Sequence, residues 1–327
     1  MSEAEDDEFI LEESEFEDAE KEEERKAILE QKKNVPCPLT QDMITESLSL
    51  LCKTGNGLGH AFVKLDLRNR NLTEIGLLGS FVHLRFLDVS SNRLTDLSSL
   101  APLTQLLWLK VDRNLVQSLK DQPVSQLAYL QWLSLAQNCI QNTEGLGGPA
   151  LESLTLTGNK IQRVSGLDSS RLTSLVALEL RGNQLETTHG IYLPNLRRLY
   201  LGRNRIKRLD GLEYLESLTT LHLRDNQLET LDGINSNMKS LQYLNVRNNK
   251  VFSPDALSSL AAVSTTLQVL ILTGNPVTEG EDYRISVLKL LPQLERLDKQ
   301  AITEDEKAEV QERLLVSNWA RRHREGI

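Results

Sequence analysis

The chain has 327 residues, 39% apolar and 25% charged, with a formal charge of −9; this composition excludes a fibrous or wholly disordered protein and allows a large core. The charge is localised, because residues 1–33 hold 15 Asp/Glu against 5 Lys/Arg while residues 34–327 carry 31 acids against 32 bases. A neutral body lacks the basic footprint of non-specific nucleic-acid binding, and neither a signal peptide nor an apolar run of about eighteen residues is found, so no membrane association and an intracellular address are expected.

Residues 1–33 are too charged and too poor in apolar side chains to offset their ordering entropy, so a solvated, disordered acidic tail is predicted. Residues 34–59 read as a helical N-terminal cap. Thr40 is placed as N-cap, Ile44, Leu48 and Leu51 fall on one helical face, and Gly55 closes the helix. The stretch "TGNGLGHA" from Thr54 follows a helix and precedes a strand, the reverse of a dinucleotide loop, and it lacks the ending of a P-loop.

Residues 60–277 repeat the template LxxLxLxxNxL. Nine copies match it, from "LRFLDVSSNRL" at Leu84 through "LVALELRGNQL" at Leu175 to "LQVLILTGNPV" at Leu267, with Asn at 92, 114, 138, 159, 183, 204, 226, 249 and 275. A tenth, "FVKLDLRNRNL" from Phe62, has Arg70 in place of Asn. Spacings of 21 to 26 residues are those of leucine-rich repeats. One short strand per repeat cannot bury its leucines alone, so the copies must stack into a solenoid: a curved parallel sheet on the concave side, with short turns and 3₁₀ segments on the convex side.

Both ends of such a stack need covering. Residues 278–300 are predicted to form a helical C-terminal cap bearing Tyr283, Val287 and Leu290, followed by a half-repeat from Leu294 to Leu297. Residues 301–327 are predicted to form a last helix and a basic tail. Thr303 and Glu306 supply a capping box, and Ala308, Leu315 and Trp319 form a sparse apolar stripe.

No catalytic constellation emerges. Cys37, Cys52 and Cys139 show neither CxxC pairing nor metal-ligand spacing, and they read as thiols in partly buried positions. The five histidines are scattered and no carboxylate pair suggests acid/base work. The sequence therefore predicts no enzyme, no cofactor, no metal and no small-molecule substrate.

The residues flanking the central leucines should instead face the concave side. Phe86, Trp108 and Trp132 then share one register, about 5 Å apart from strand to strand, as an exposed aromatic column. Arg181, Arg224 and Arg247 share another position, with Tyr200 and Tyr243 nearby. Aromatic and Arg side chains are the types that dominate binding hot spots, so these eight residues are the candidate protein-binding site.

The stretches "PLTQDMITESLSLLCKTGNGLGHAFVKL", "LHLRDNQLETLDGI", "MKSLQYLNVRNN" and "LPQLERLDK" carry a more specific likeness. Over roughly residues 36–300 the chain resembles the leucine-rich-repeat components of axonemal radial spokes. That resemblance implies a structural subunit of the spoke in motile cilia and sperm flagella, without catalysis or cofactor, bound to other spoke or axonemal proteins. It transfers no individual binding residues, and it stops short of the ending "NWARRHREGI". A regulatory module similar to the leucine-rich-repeat regulator of protein phosphatase 1 would need the same curved wall.

Overall fold

The computed structural model describes residues 35–55 and 57–324. The predicted acidic tail, the last three residues and the side chain of Trp319 lie outside the described part. Two compact units divide at Pro38 and Leu39, and the second carries the repeats.

Among the described residues one 13-stranded sheet runs in chain order. Its first two strands are β1 (Leu48–Lys53) and β2 (His60–Asp66). Three-residue strands follow: β3 (Phe86–Asp88), β4 (Trp108–Lys110), β5 (Trp132–Ser134), β6 (Ser153–Thr155) and β7 (Ala177–Glu179). The series continues with β8 (Arg198–Tyr200), β9 (Thr220–His222), β10 (Tyr243–Asn245) and β11 (Val269–Ile271), and closes with β12 (Arg296–Leu297) and β13 (Gln300–Ala301). Strands β2 to β12 pair in parallel, one per repeat, while β1 and β13 add antiparallel at the two ends.

The central leucine of each parallel strand, from Leu65 in β2 to Leu297 in β12, points away from the open face and is at most 1% exposed. Each such burial is worth about 1.5–3 kcal/mol gross, much of it offset by chain entropy. Opposite the sheet the coils return through turns and 3₁₀ segments such as Gly76–Ser80, Ser98–Leu100 and Pro254–Val263. A repeat near 22 residues leaves little room for more.

The asparagines join coil to coil. Asn183 Oδ1 accepts from Ile161 N of the preceding coil at 3.0 Å, and its Nδ2 donates to Leu156 O of that coil and to Leu180 O of its own, at 3.0 and 2.9 Å. The same three bonds recur at all nine positions, for example at Asn92, Asn204 and Asn275. All nine side chains are buried, at 2–8% exposure. An amide both donates and accepts, which is why this residue type recurs where the strand ends. Arg70 breaks the template because no coil of this kind precedes it; its backbone N–H is itself held by Asn92 Oδ1 at 3.0 Å.

The N-terminal cap departs from expectation. Helix α1 spans only Gln41–Ser47, with Thr40 Oγ1 accepting from Met43 N and Ile44 buried. Residues Leu48 onward form the edge strand β1 instead of completing the helix, and Gly55 lies in the connection to β2, where Thr54 N donates to Gly59 O. The helical spacing of Leu48 and Leu51 is overridden because pairing with β2 satisfies the backbone groups at the edge of the parallel sheet. The helix face predicted to bury Leu51 leaves it 57% exposed.

At the other end, α2 (Tyr283–Leu290) buries Val287 and Leu288, and the half-repeat follows as β12. The predicted stripe is thus shifted by one or two residues from Leu290, which is half-buried. Asp298, directly after the last strand leucine, binds the preceding coil in a different way, its Oδ1 accepting from Leu272 N and Thr273 N at 2.8 Å while Tyr283 Oη donates to Oδ2. Burial against this carboxylate pushes the Tyr283 phenol far up.

Helix α3 (Glu304–Arg324) opens on the predicted box, with Thr303 N donating to Glu306 Oε2 and Glu306 N to Thr303 Oγ1. It docks through Val310 and the pairs Arg284–Glu306 and Arg313–Asp282, at 2.6 and 2.9 Å. Ala308 and Leu315 do not form the contact face. Both are exposed, because the ion pairs fix a different side of the helix against α2.

Candidate functional site

The open face of the sheet is set by strand alternation: with every central leucine turned inward, its two neighbours face the concave side. Phe86, Trp108 and Trp132 fall in direct register across β3, β4 and β5. The two indoles stack with centroids 4.7 Å apart and planes 6° from parallel. All three side chains are half-buried instead of fully exposed, and the two stacked indoles cover part of each other.

Charges around the indoles are matched. Arg68 pairs with Asp66 at 2.6 Å and reaches Asp88 at 3.6 Å; Lys110 pairs with Asp112 at 3.5 Å. The hydrogen bond from Arg68 is the main reason the Asp66 carboxyl lies below its ordinary range. Asp112 also accepts from Ser134 Oγ and Ala136 N, at 2.5 and 2.9 Å. The N-terminal third of the wall is therefore an apolar strip between internally bridged charges.

Small side chains follow at Ser153, Thr155 and Ala177 on β6 and β7. Beyond them lies a second aromatic group. Tyr200, His222 and Tyr243 stack in sequence across β8, β9 and β10, each pair of centroids 4.8 Å apart, with interplanar angles of 23° and 30°. Burial in this sandwich, and then the nearby Arg181 charge, lower the His222 pKa to about 4, so the ring is neutral at pH 7. Burial likewise raises Glu179, opposed by Arg181.

Arg181, Arg224 and Arg247 leave their strands at equivalent positions of their coils. Gly202 is the intervening member, where a Cβ would stand 3.3 Å from Arg224 O and 3.8 Å from Arg181 Cγ. Arg224 Nε lies 3.2 Å and Arg203 Nε 3.7 Å from Asp225. The structure thus brings Phe86, Trp108 and Trp132 together in one group and Arg181, Tyr200, Arg224, Tyr243 and Arg247 in another, separated by β6. Sequence reasoning missed His222 as the bridge between Tyr200 and Tyr243, and Arg198 beside them. Strand register alone holds that signal, since His222 occupies in β9 the place of Tyr200 in β8.

Among the described residues no group of three or more His, Cys, Asp or Glu is placed to hold a metal ion, and no helix is long and apolar enough to cross a membrane.

A stack of parallel strands tied by buried asparagines, with an open side-chain wall, defines a leucine-rich-repeat protein. Residues 177–323 and 63–102 match the families described as "Leucine-rich repeat" and "Leucine Rich repeats (2 copies)". The fold is similar to that of the functional domain of InlJ from Listeria monocytogenes, with a TM-score of 0.55 and 24% identity over 72% of this chain and 48% of that one.

Much closer in sequence is leucine-rich repeat-containing protein 23. The Bos taurus protein is 51% identical over 85% of this chain and 80% of its own length, and the Homo sapiens protein 51% identical over 84% and 79%. The chain belongs to the leucine-rich repeat-containing protein 23 family.

Proposed function

We propose that the protein is a non-enzymatic, protein-binding subunit of the radial spoke in motile cilia and sperm flagella, supporting spoke assembly and motility. The carrying observation is the stacked Trp108–Trp132 pair on the open wall, two large apolar rings kept partly in solvent where the repeats would accept Ser or Thr, as β6 does. Aromatic anchors on a rigid sheet lose little conformational entropy on binding and are frequent hot spots. Phe86, Arg181, Tyr200, Arg224, Tyr243 and Arg247 complete the contact wall for another spoke or axonemal protein. The likeness of residues 36–300 to spoke components supports the choice of assembly.

Two measurements test this. The endogenous protein should stay with the salt-resistant axoneme on fractionation; co-purification with a soluble phosphatase instead would replace the spoke reading. Replacing Trp108 and Trp132 by Ala should weaken partner capture by about 2 kcal/mol or more. The melting temperature should move little, because a stacked pair adds only about 0.5–1.5 kcal/mol beyond area burial. A collapse of thermal stability with no loss of capture would assign the indoles to the fold.

A further inference from the structure

Helix α3 has two faces, and the body of the protein uses one of them. Glu306, Val310 and Arg313 recur at helical spacing along one side and hold the helix to α2, through the Arg284–Glu306 and Arg313–Asp282 pairs and the burial of Val310. At about 100° per residue, Ala308 and Leu315 fall on the opposite side. The apolar stripe of the sequence is thus turned away from the protein's own core.

Leu315 is 71% exposed, and its neighbours Leu314 and Val316 are 39% and 62% exposed. Three consecutive apolar residues lie on different sides of a helix, so nothing among the described residues wraps the helix at this level. Runs of this kind on a surface mark a contact.

The charge along the helix identifies the occupant. Residues 304–313 hold five acids against Lys307 and Arg313, whereas residues 317–324 hold three arginines and no acid. Two of the acids, Glu304 and Glu309, are paired within the helix to Lys307 and Arg313, while Asp305 and Glu312 pair with no described residue. Leu315 stands near the midpoint between the two halves. A second copy laid antiparallel across Leu315 sets the acidic half of each helix beside the basic half of the other; a parallel copy would set like charge against like. The helix is its own complement only in the antiparallel sense.

We propose that the chain forms a homodimer through α3, two copies crossing antiparallel at Leu315 with the Ala308–Leu315 stripe of each in the joint. The contact is isologous, the same face on both copies closed by a two-fold axis. It uses none of the residues assigned to the concave wall. Two helices of 21 residues overlap over a small area, so the dimer should form at concentrations on the order of tens of micromolar.

Sedimentation of the full chain should show the mass rising from monomer to dimer over roughly 1–200 μM, and added salt should weaken the association. Leu315→Glu should weaken it by roughly tenfold or more and leave the melting temperature unchanged, because this side chain is outside the core. Phe252→Glu, at a comparably exposed residue of the repeats, should leave the dimer intact. Direction is read by crosslinking in a chain with Cys37, Cys52 and Cys139 replaced by Ser. Leu315→Cys should oxidise to a covalent dimer across the axis. Ala308→Cys should not, since antiparallel copies hold the two positions about 20 Å apart, beyond the reach of a disulfide.

A chain that stays monomeric at the highest concentration overturns the proposal, as does a dimer indifferent to Leu315→Glu. Equal crosslinking through positions 308 and 315 would reveal a parallel pair and overturn it too. If Leu315→Glu instead removes capture of a different protein by a monomeric chain, the face belongs to that protein and not to a second copy.

Discussion

Two residues show how much each side chain contributes to this fold. Asn183 makes three hydrogen bonds to the backbones of two coils from a buried site. Asn183→Ala should lower stability by about 2–4 kcal/mol, because Ile161 N–H and the two carbonyls would be left buried without a partner; chemical denaturation measures this directly. A loss below about 0.5 kcal/mol would mean that water replaces the amide at no cost. His222 acts through protonation. Its pKa drops from about 6.5 to about 4 on folding, so the unfolded chain binds the extra proton between those values. Its contribution is thus complete above pH 6.5 and is lost as pH falls toward 4. His222→Phe keeps a ring in the stack but cannot titrate. Melting curves from pH 7 down to 4.5 should therefore fall less steeply for the variant, and parallel declines would reject the assignment. The asparagines were legible in the sequence because the template marks them. His222 was not, because its role depends on rings contributed by two other strands.

At the scale of elements, the outer turns are fixed by backbone proximity. Gly233 has φ +110°, and a Cβ there would stand 2.0 Å from Leu209 O of the preceding coil, whereas a Cβ on Gly76 would meet nothing within 4 Å. Gly233→Ala should therefore cost more than about 2 kcal/mol while Gly76→Ala changes stability by less than about 1 kcal/mol. Equal melting temperatures for the two variants would show that the outer turns yield freely. The last helix is held by charge. The hydrogen bond from Arg284, followed by that from Thr303 N, lowers the Glu306 pKa to about 2 from 4.5. The anchorage is present above pH 4.5 and fades as pH falls toward 2. Amide exchange in residues 304–312 should accelerate in Glu306→Gln at neutral pH, with the repeats unaffected; unchanged protection would mean that Val310 alone holds the helix. The capping box at Thr303 was readable from four residues. The strand β1 was not, since Ile44, Leu48 and Leu51 satisfy a helical period and only the waiting edge of β2 selects the extended form.

Over the whole molecule, the repeat made the solenoid, the parallel sheet and the 3₁₀ returns readable before any coordinates, because each depends on neighbours at a fixed offset. The two aromatic groups were half readable: register aligned Trp108 with Trp132, but the second group required knowing which rings stack. The asparagine bonds also run one way. From Leu72 to Val251, the N–H two residues past each asparagine position finds its acceptor on the coil that follows, as Leu94 does on Asn114 and Val251 on Asn275. A chain emerging from the ribosome thus always ends in a newest turn whose donors still await an oxygen, and each arriving turn passes that need onward. The relay stops after Asn275, where the corresponding N–H, that of Val277, turns back to Val251 O.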